Sequence, residues 1–178
     1  VNRGARRHHG GMILRDHRTG GTSSQAVYSD CGAYRHALHR RWGAGPMMGW
    51  VMLNPSTATE VQDDPTIARC SARARVMGFG GIAIGNLFAY RATDPRDLKR
   101  AGDPVGPDAD AALLQALAGV DLLVCGWGNH GAHRGRDAQV TALLRGAGHR
   151  LHHLGLTGQG QPRHPLYTAY SVAPMPWG

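Results

Sequence analysis

The sequence predicts an α/β fold: a three-layer α/β/α sandwich around a central, mostly parallel four-stranded sheet, with an N-terminal antiparallel edge strand. Three observations carry this expectation. Four short apolar runs, "GWVMLN" (49–54), "GIAIGNL" (81–87), "DLLVCGW" (121–127) and "HRLHHLGL" (149–156), recur along the chain. Runs of this length suit strands covered on both faces, as parallel strands are. Segments with helical signals separate them, and strand–helix alternation is the signature of a parallel sheet with helices on its faces. Upstream, Tyr34, His36, Leu38, Arg40 and Trp42 alternate with Arg35, Ala37, His39 and Arg41. That period of two marks a half-exposed antiparallel strand, closed by Gly43-Ala44-Gly45-Pro46.

Residues 1–26 have no sustained period and carry two Gly-Gly pairs, which reads as a flexible basic arm ahead of a single α/β domain over 27–178. The first helix, 64–79, opens on Asp63-Asp64-Pro65 and closes near Gly78, with a proline at its first turn. A short helical signal follows at Asp94-Pro95. The segment "PDADAALLQALAG" (107–119) is a helix with acids in its first turn, and "RDAQVTALLRGAG" (136–148) a helix ending in glycines. Residues 157–178 read as loops and turns.

At 178 residues the chain can bury a core without staples, and a hydrophobic share of 42% is ordinary for a globular protein. No apolar run approaches the roughly 18–20 residues of a membrane span, so no membrane partner is expected. The N-terminus lacks the apolar stretch of a secretory signal. Three scattered cysteines, Cys31, Cys70 and Cys125, argue against a disulfide framework and for a reducing, cytoplasmic setting. The net charge is +8, and residues 1–50 hold eight arginines against Asp16 and Asp30. Such a surplus suits phosphate contact. Nineteen of the 20 basic residues are arginine, however, and a general composition bias accounts for the charge equally well. The expected state is a monomer.

Ligands of open α/β sheets bind beyond the carboxyl ends of the parallel strands. The first strand ends in Asn54-Pro55-Ser56. The second ends in Asn86, followed by Phe88, Tyr90 and Arg91. The third runs into Trp127, which reads as core, and then Asn129 and His130; the fourth is followed by Arg163, His164, Leu166 and Tyr167. Each has an ordinary alternative: Asn54-Pro55 as a turn, Asn86 as an Asx-turn residue, His164 as a loop histidine. Their joint placement at strand ends favours a site. His130 and His133 have metal-like spacing but no third ligand is evident, so no metal is expected. His133 and Arg134, ahead of a helix start, suit a phosphate instead.

The runs "VMLNPSTA", "DDPTIARC", "NLFAYRATDP", "DPVGPDAD" and "GLTGQGQPRHPLY" resemble the bacterial and phage family known as domain-of-unknown-function family 1643, over roughly residues 28–168. More distantly, the chain resembles the uracil-DNA glycosylase superfamily, an α/β/α fold with a central parallel sheet. "MLNPS" is similar to its first motif and "IAIGN" to its second strand end. "RATDP" resembles a stretch of some thermophilic branches, and "HPLY" its last motif. That resemblance implies that Asn54, followed by Pro55 and Ser56, positions a water and that Asn86 reads a base edge. It also implies that His164 stabilises the departing base. Met52-Leu53 and Ser56 depart from the glycines flanking the family's asparagine, and Leu166 follows Pro165 where the family has serine. The cysteines lack the four-ligand pattern of the iron–sulfur branches, so no cofactor is expected.

The function so implied is a monofunctional, base-flipping DNA glycosylase of DNA repair, hydrolysing the N-glycosidic bond of uracil or another modified base in single- or double-stranded DNA. Asn54 and His164 are its expected catalytic residues. Asn86, Pro55, Ser56, Phe88, Tyr90 and Arg91 are expected on the substrate, with Phe88 or Tyr90 stacking on the base. Arg163, Leu166, Tyr167, His133 and Arg134 are expected on the nucleic acid. Asp63 or Asp64 supplies a base if the loop folds back. The alternatives are a nucleobase- or nucleotide-binding module, and a hydrolase or transferase of free nucleosides.

Overall fold

The computed structural model describes the backbone of residues 6–8 and residues 11–178 in full. Among the described residues, nine strands form one mixed sheet: β1 (Arg6–His8), β2 (Met12–Thr19), β3 (Thr22–Ser29), β4 (Arg35–Arg41), β5 (Met47–Met52), β6 (Gly81–Asn86), β7 (Leu122–Cys125), β8 (Leu151–His153) and β9 (Met175–Pro176). The helices are α1 (Pro65–Val76), α2 (Pro95–Arg100), α3 (Ala109–Leu117) and α4 (Arg136–Gly146). The strands lie in the order β1-β2-β3-β4-β6-β5-β7-β8-β9.

The four apolar runs are the parallel quartet β6-β5-β7-β8. Every other pairing is antiparallel, so the sheet as a whole is mixed rather than mostly parallel. Ile67, Cys70 and Ala74 of α1 pack on one face with Met48, Trp50, Ile82, Ile84 and Val124. Leu98, Leu113, Leu117, Val140 and Leu144 of α2, α3 and α4 pack on the other with Val51, Ala83, Leu123 and Leu151. Helices thus cover both faces of the quartet.

Two expectations fail at the N-terminal side. β4 is not an edge strand and is not half-exposed: it lies between β3 and β6, and five of its seven residues are buried. Helix α3 covers one of its faces and the loop before α1 the other. Residues 12–26 are not an arm, since β2 and β3 form a hairpin registered from Met12–Ser29 to Thr19–Thr22. Its two-residue turn, Gly20-Gly21, has positive φ at both positions, the backbone that type I′ hairpins require. Residues 1–5 and 9–10 of the expected arm lie outside the described residues.

α1 starts where the acids predict. Asp64 is its N-cap, accepting from the Ile67 N–H at 2.9 Å, with Pro65 in the first turn. Among the described residues, no helix is long and apolar enough to cross a membrane. The three cysteines are free, and burial pushes the Cys125 thiol up to about 12.

Gly81 sits between two strands, opposite Arg41 and Met47. A β-carbon there would lie 2.5 Å from the Arg40 carbonyl oxygen and 2.7 Å from the Met47 sulfur. Gly81→Ala is therefore expected to destabilise the fold by about 1–3 kcal/mol, the usual cost of overpacking, read as a lower urea midpoint at unchanged slope.

Candidate active site

The site follows from the strand order. β5 has its sequence successor β6 on one side and β7 on the other. Chains leaving neighbouring strands at such a reversal part to opposite faces, and a crevice opens beyond their carboxyl ends. A cleft of about 820 Å³ lies there, inside the ~300–1,000 Å³ range of small-molecule sites. Met52, Leu53 and Asn54 line it from the end of β5, Asn86 from β6, and Trp127, Gly128, Asn129 and His130 from β7. Thr157, Gly158, Arg163, His164, Leu166 and Tyr167 close it from the segment after β8, and Asp64, Thr66 and Ile67 from the start of α1.

The side chains of the three polar strand-end residues are held in different ways. The Asn54 amide nitrogen donates to the carbonyls of Ala92 at 2.7 Å and Pro55 at 3.0 Å, with Tyr90 at 3.5 Å. Those acceptors fix the amide with its nitrogen inward, and its oxygen accepts from no described residue. Asn86 is only 8% exposed, and its amide nitrogen has no partner. A buried unpaired donor is costly and rare, and at the cleft wall this one is open to a partner from the cleft. His164 accepts the Leu166 N–H at its Nδ1, 3.3 Å away. A neutral ring must then carry its proton on Nε2, a donor. Burial lowers the His164 pKa from its ordinary value, while the charge of Asp64 works the other way.

Other expected residues stand elsewhere. Ser56 lines the cleft, but Pro55 is buried beside it and contributes its carbonyl to Asn54 and to the Ala92 N–H. Phe88 is wholly buried in the core among α2 and α3 residues, against the His133 ring, and stacks on nothing in the cleft. Its backbone follows β6 beyond Asn86, bonding Leu53, so its side chain enters the core. Tyr90 and Arg91 border a second cleft with Thr57, Thr93, Asp97 and Arg100; this cleft meets the first at Ser56, Ala92 and Thr93. Tyr90 is held in a bridge with Tyr34, and Arg91 donates to the Gly32 carbonyl. His133 and Arg134 are off the cleft; Arg134 donates to the carbonyls of Ala101 and Gly102. Asp63 is also off it, ion-paired with Arg40 at 2.8 Å. Asp64 is on it, its two oxygens accepting the Ile67 and Ala58 N–H groups.

Two wall residues were not among the expected site residues: Arg35, and Trp127, which the sequence reads as core. Trp127 is 2% exposed and forms part of the cleft wall, its indole N–H fixed on Gln161 at 2.7 Å. It stands two residues beyond β7, past Gly126, so it belongs both to the core and to the strand-end wall. Arg35 also lines the cleft, and burial lowers its guanidinium to about 10, still a cation at neutral pH. Among the described residues, no three His, Cys, Asp or Glu side chains stand close enough to hold a metal ion.

Asn54→Ala frees the Tyr90 and Ala92 carbonyls, so exchange of the Ala92 amide, which donates to Pro55, is expected to quicken about tenfold, the worth of one to two hydrogen bonds. Unchanged exchange there would mean that the amide does not hold the loop.

No curated protein and no solved structure matches the chain. One family model, described as protein of unknown function (DUF1643), matches residues 35–166, and the chain belongs to that family.

Proposed function

We propose that the cleft hydrolyses the N-glycosidic bond of uracil or another modified base flipped out of DNA. The observation that carries this reading is the meeting of Asn54, Asn86 and His164, from three separate strand ends, in one cleft with Trp127 in its wall. Breaking the bond builds positive charge on the sugar and negative charge on the base. His164, neutral and with Nε2–H free, supplies a donor to the base oxygen without a proton having to move first. The free oxygen of Asn54 accepts from a water and orients it, although an amide cannot take its proton. Asp64 is the carboxylate on the cleft, and each of its oxygens keeps a lone pair beyond the backbone bond it accepts. Asn86 pairs with the base edge, and Trp127 offers a ring in place of Phe88 or Tyr90.

Features of the rim favour a nucleic acid over a free nucleoside. Tyr167 is 83% exposed and Leu166 37%, beside the exposed Arg163. Large apolar side chains left in water at a basic rim suit insertion into the gap a flipped base leaves. The adjoining cleft, with its hydroxyls and Arg91 and Arg100, suits the strand's phosphates.

A second reading, a nucleobase-binding pocket without hydrolysis, has one observation in its favour. Asp63 is committed to Arg40 and Asp64 to capping α1, so no carboxylate is dedicated to a water.

Oligonucleotides carrying uracil, hypoxanthine or bulky pyrimidines, incubated with the protein and then treated with alkali, distinguish the two. Abasic breaks are expected, and His164→Ala is expected to slow them by roughly 10²–10³-fold. Binding without breaks across the panel supports the second reading. The pH profile has a definite sign. The His164 pKa is lowered, so the ring is neutral through neutral and alkaline pH and the rate is level there. The rate falls only in acid, on the low side of the ordinary histidine value, as Nδ1 gains a proton and loses the Leu166 N–H. A maximum with protonated His164 would contradict this role.

A further inference from the structure

We propose that Arg35 holds the negative charge that builds on a base bound in the cleft, acting beside His164 as a second leaving-group stabiliser. This rests on the base-hydrolysis reading above and adds a residue to it.

The observation is a buried cation with spare donors. Arg35 is 2% exposed, yet it lines the cleft. One terminal nitrogen donates to the Ala58 carbonyl, while Nε has no partner. No carboxylate among the described residues pairs with it. Its neighbour Asp64 engages backbone amides instead. A buried charge needs compensation; the charge of Asp64 supplies part of it without contact, and a cleft ligand is the direct partner left open.

The strand is built to aim it there. Arg35 and Arg40 both reach the loop before α1, at Ala58 and at Thr59 and Asp63. Five residues apart on a regular strand, they would face opposite ways. The register of β3 against β4 shifts between Val27 and Tyr28, which pair with Ala37 and Arg35, leaving His36 over as a bulge. Bulges re-aim side chains in this way and cluster beside active sites.

The depth of the site selects the kind of anion. A phosphate is strongly hydrated and stays at the rim, among Ser56, Thr93 and the outer arginines. Arg35 is below, on the strand next to Asn86, where the base edge lies. When the bond between the sugar C1′ and the base nitrogen breaks, its electron pair leaves on the base and spreads to the adjacent carbonyl oxygen. Water adds to C1′ and gives up a proton to solvent or to the departing base. Arg35 donates hydrogen bonds throughout and transfers no proton.

The test is binding of free bases, independent of turnover. Affinities for uracil and for the more acidic 5-fluorouracil are measured between about pH 6 and about pH 9, where a guanidinium stays protonated. Wild type is expected to bind the ionised base about tenfold tighter than the neutral one, Arg35→Met to keep only the small preference that His164 supplies, and Arg35→Lys an intermediate one. Absence of a preference in wild type overturns the proposal, as does its survival undiminished in Arg35→Met. If Arg35→Met does not fold, a preference in Arg35→Lys equal to wild type overturns it. Inorganic phosphate that displaces the base from wild type but not from the variants makes Arg35 a phosphate site, which also overturns it. Anion preference without abasic product removes the hydrolytic reading and leaves Arg35 in its role; product without anion preference does the reverse.

Discussion

The reversal of strand order at β5 is the constraint from which the rest of the cleft follows. Right-handed crossovers place α1 on one face when the chain moves from β5 to β6, and α2–α4 on the other when it moves back past β5 to β7 and β8. The segments leaving β5 and β7 therefore diverge, and no backbone fills the space above them. Asn54, Asn86 and Trp127 are the residues at or just after those strand ends, and the segment after β8 brings His164 over the top. Residues separated by more than a hundred positions in sequence meet because of topology, not because of local signals.

A second layer of order comes from the N-terminal hairpins. The loop between β5 and α1 carries Ser56 and Asp64 into the cleft, and it has almost no secondary structure of its own. It is tied to β3 and β4: Tyr28 donates to Glu60, Arg35 to Ala58, and Arg40 to Thr59 and Asp63. From the far side, Asn54 ties the same loop to Tyr90 and Ala92. The loop wall is thus fixed from two directions, which suits a site that must hold donors in place before a ligand arrives. The unpaired amide nitrogen of Asn86 and the unpaired Nε of Arg35 are the local costs of that arrangement.

The parallel quartet and the start of α1 were legible because burial on both faces leaves unbroken apolar runs, and because Asp64-Pro65 is a strong capping signal. The N-terminal strands were not. β2 and β3 read "MILRDHRT" and "TSSQAVYS", polar enough that periodicity is lost, and their Gly20-Gly21 turn looks the same in sequence as a flexible arm. It is the facing register, a non-local property, that makes it a hairpin. In β4 the alternation revealed a strand but misjudged its exposure, because cover from α3 and from the loop before α1 comes from distant sequence. The site was legible where strand ends supply it, as at Asn54 and Asn86. It was not legible where a bulge or a core position decides, as for Arg35, re-aimed by His36, and for Phe88, drawn into the interior beyond β6.

The central claim is that Asn54, Asn86 and His164 surround one flat base. Its most direct test is a nitrogen-15 NMR titration of their side chains with an oligonucleotide carrying one uncleavable 2′-fluorinated deoxyuridine. The Asn86 amide and the His164 ring are expected to shift together, with protection of the Asn86 amide protons from exchange and smaller changes at Asn54. An oligonucleotide that binds and moves other resonances while these side chains stay unperturbed would contradict it.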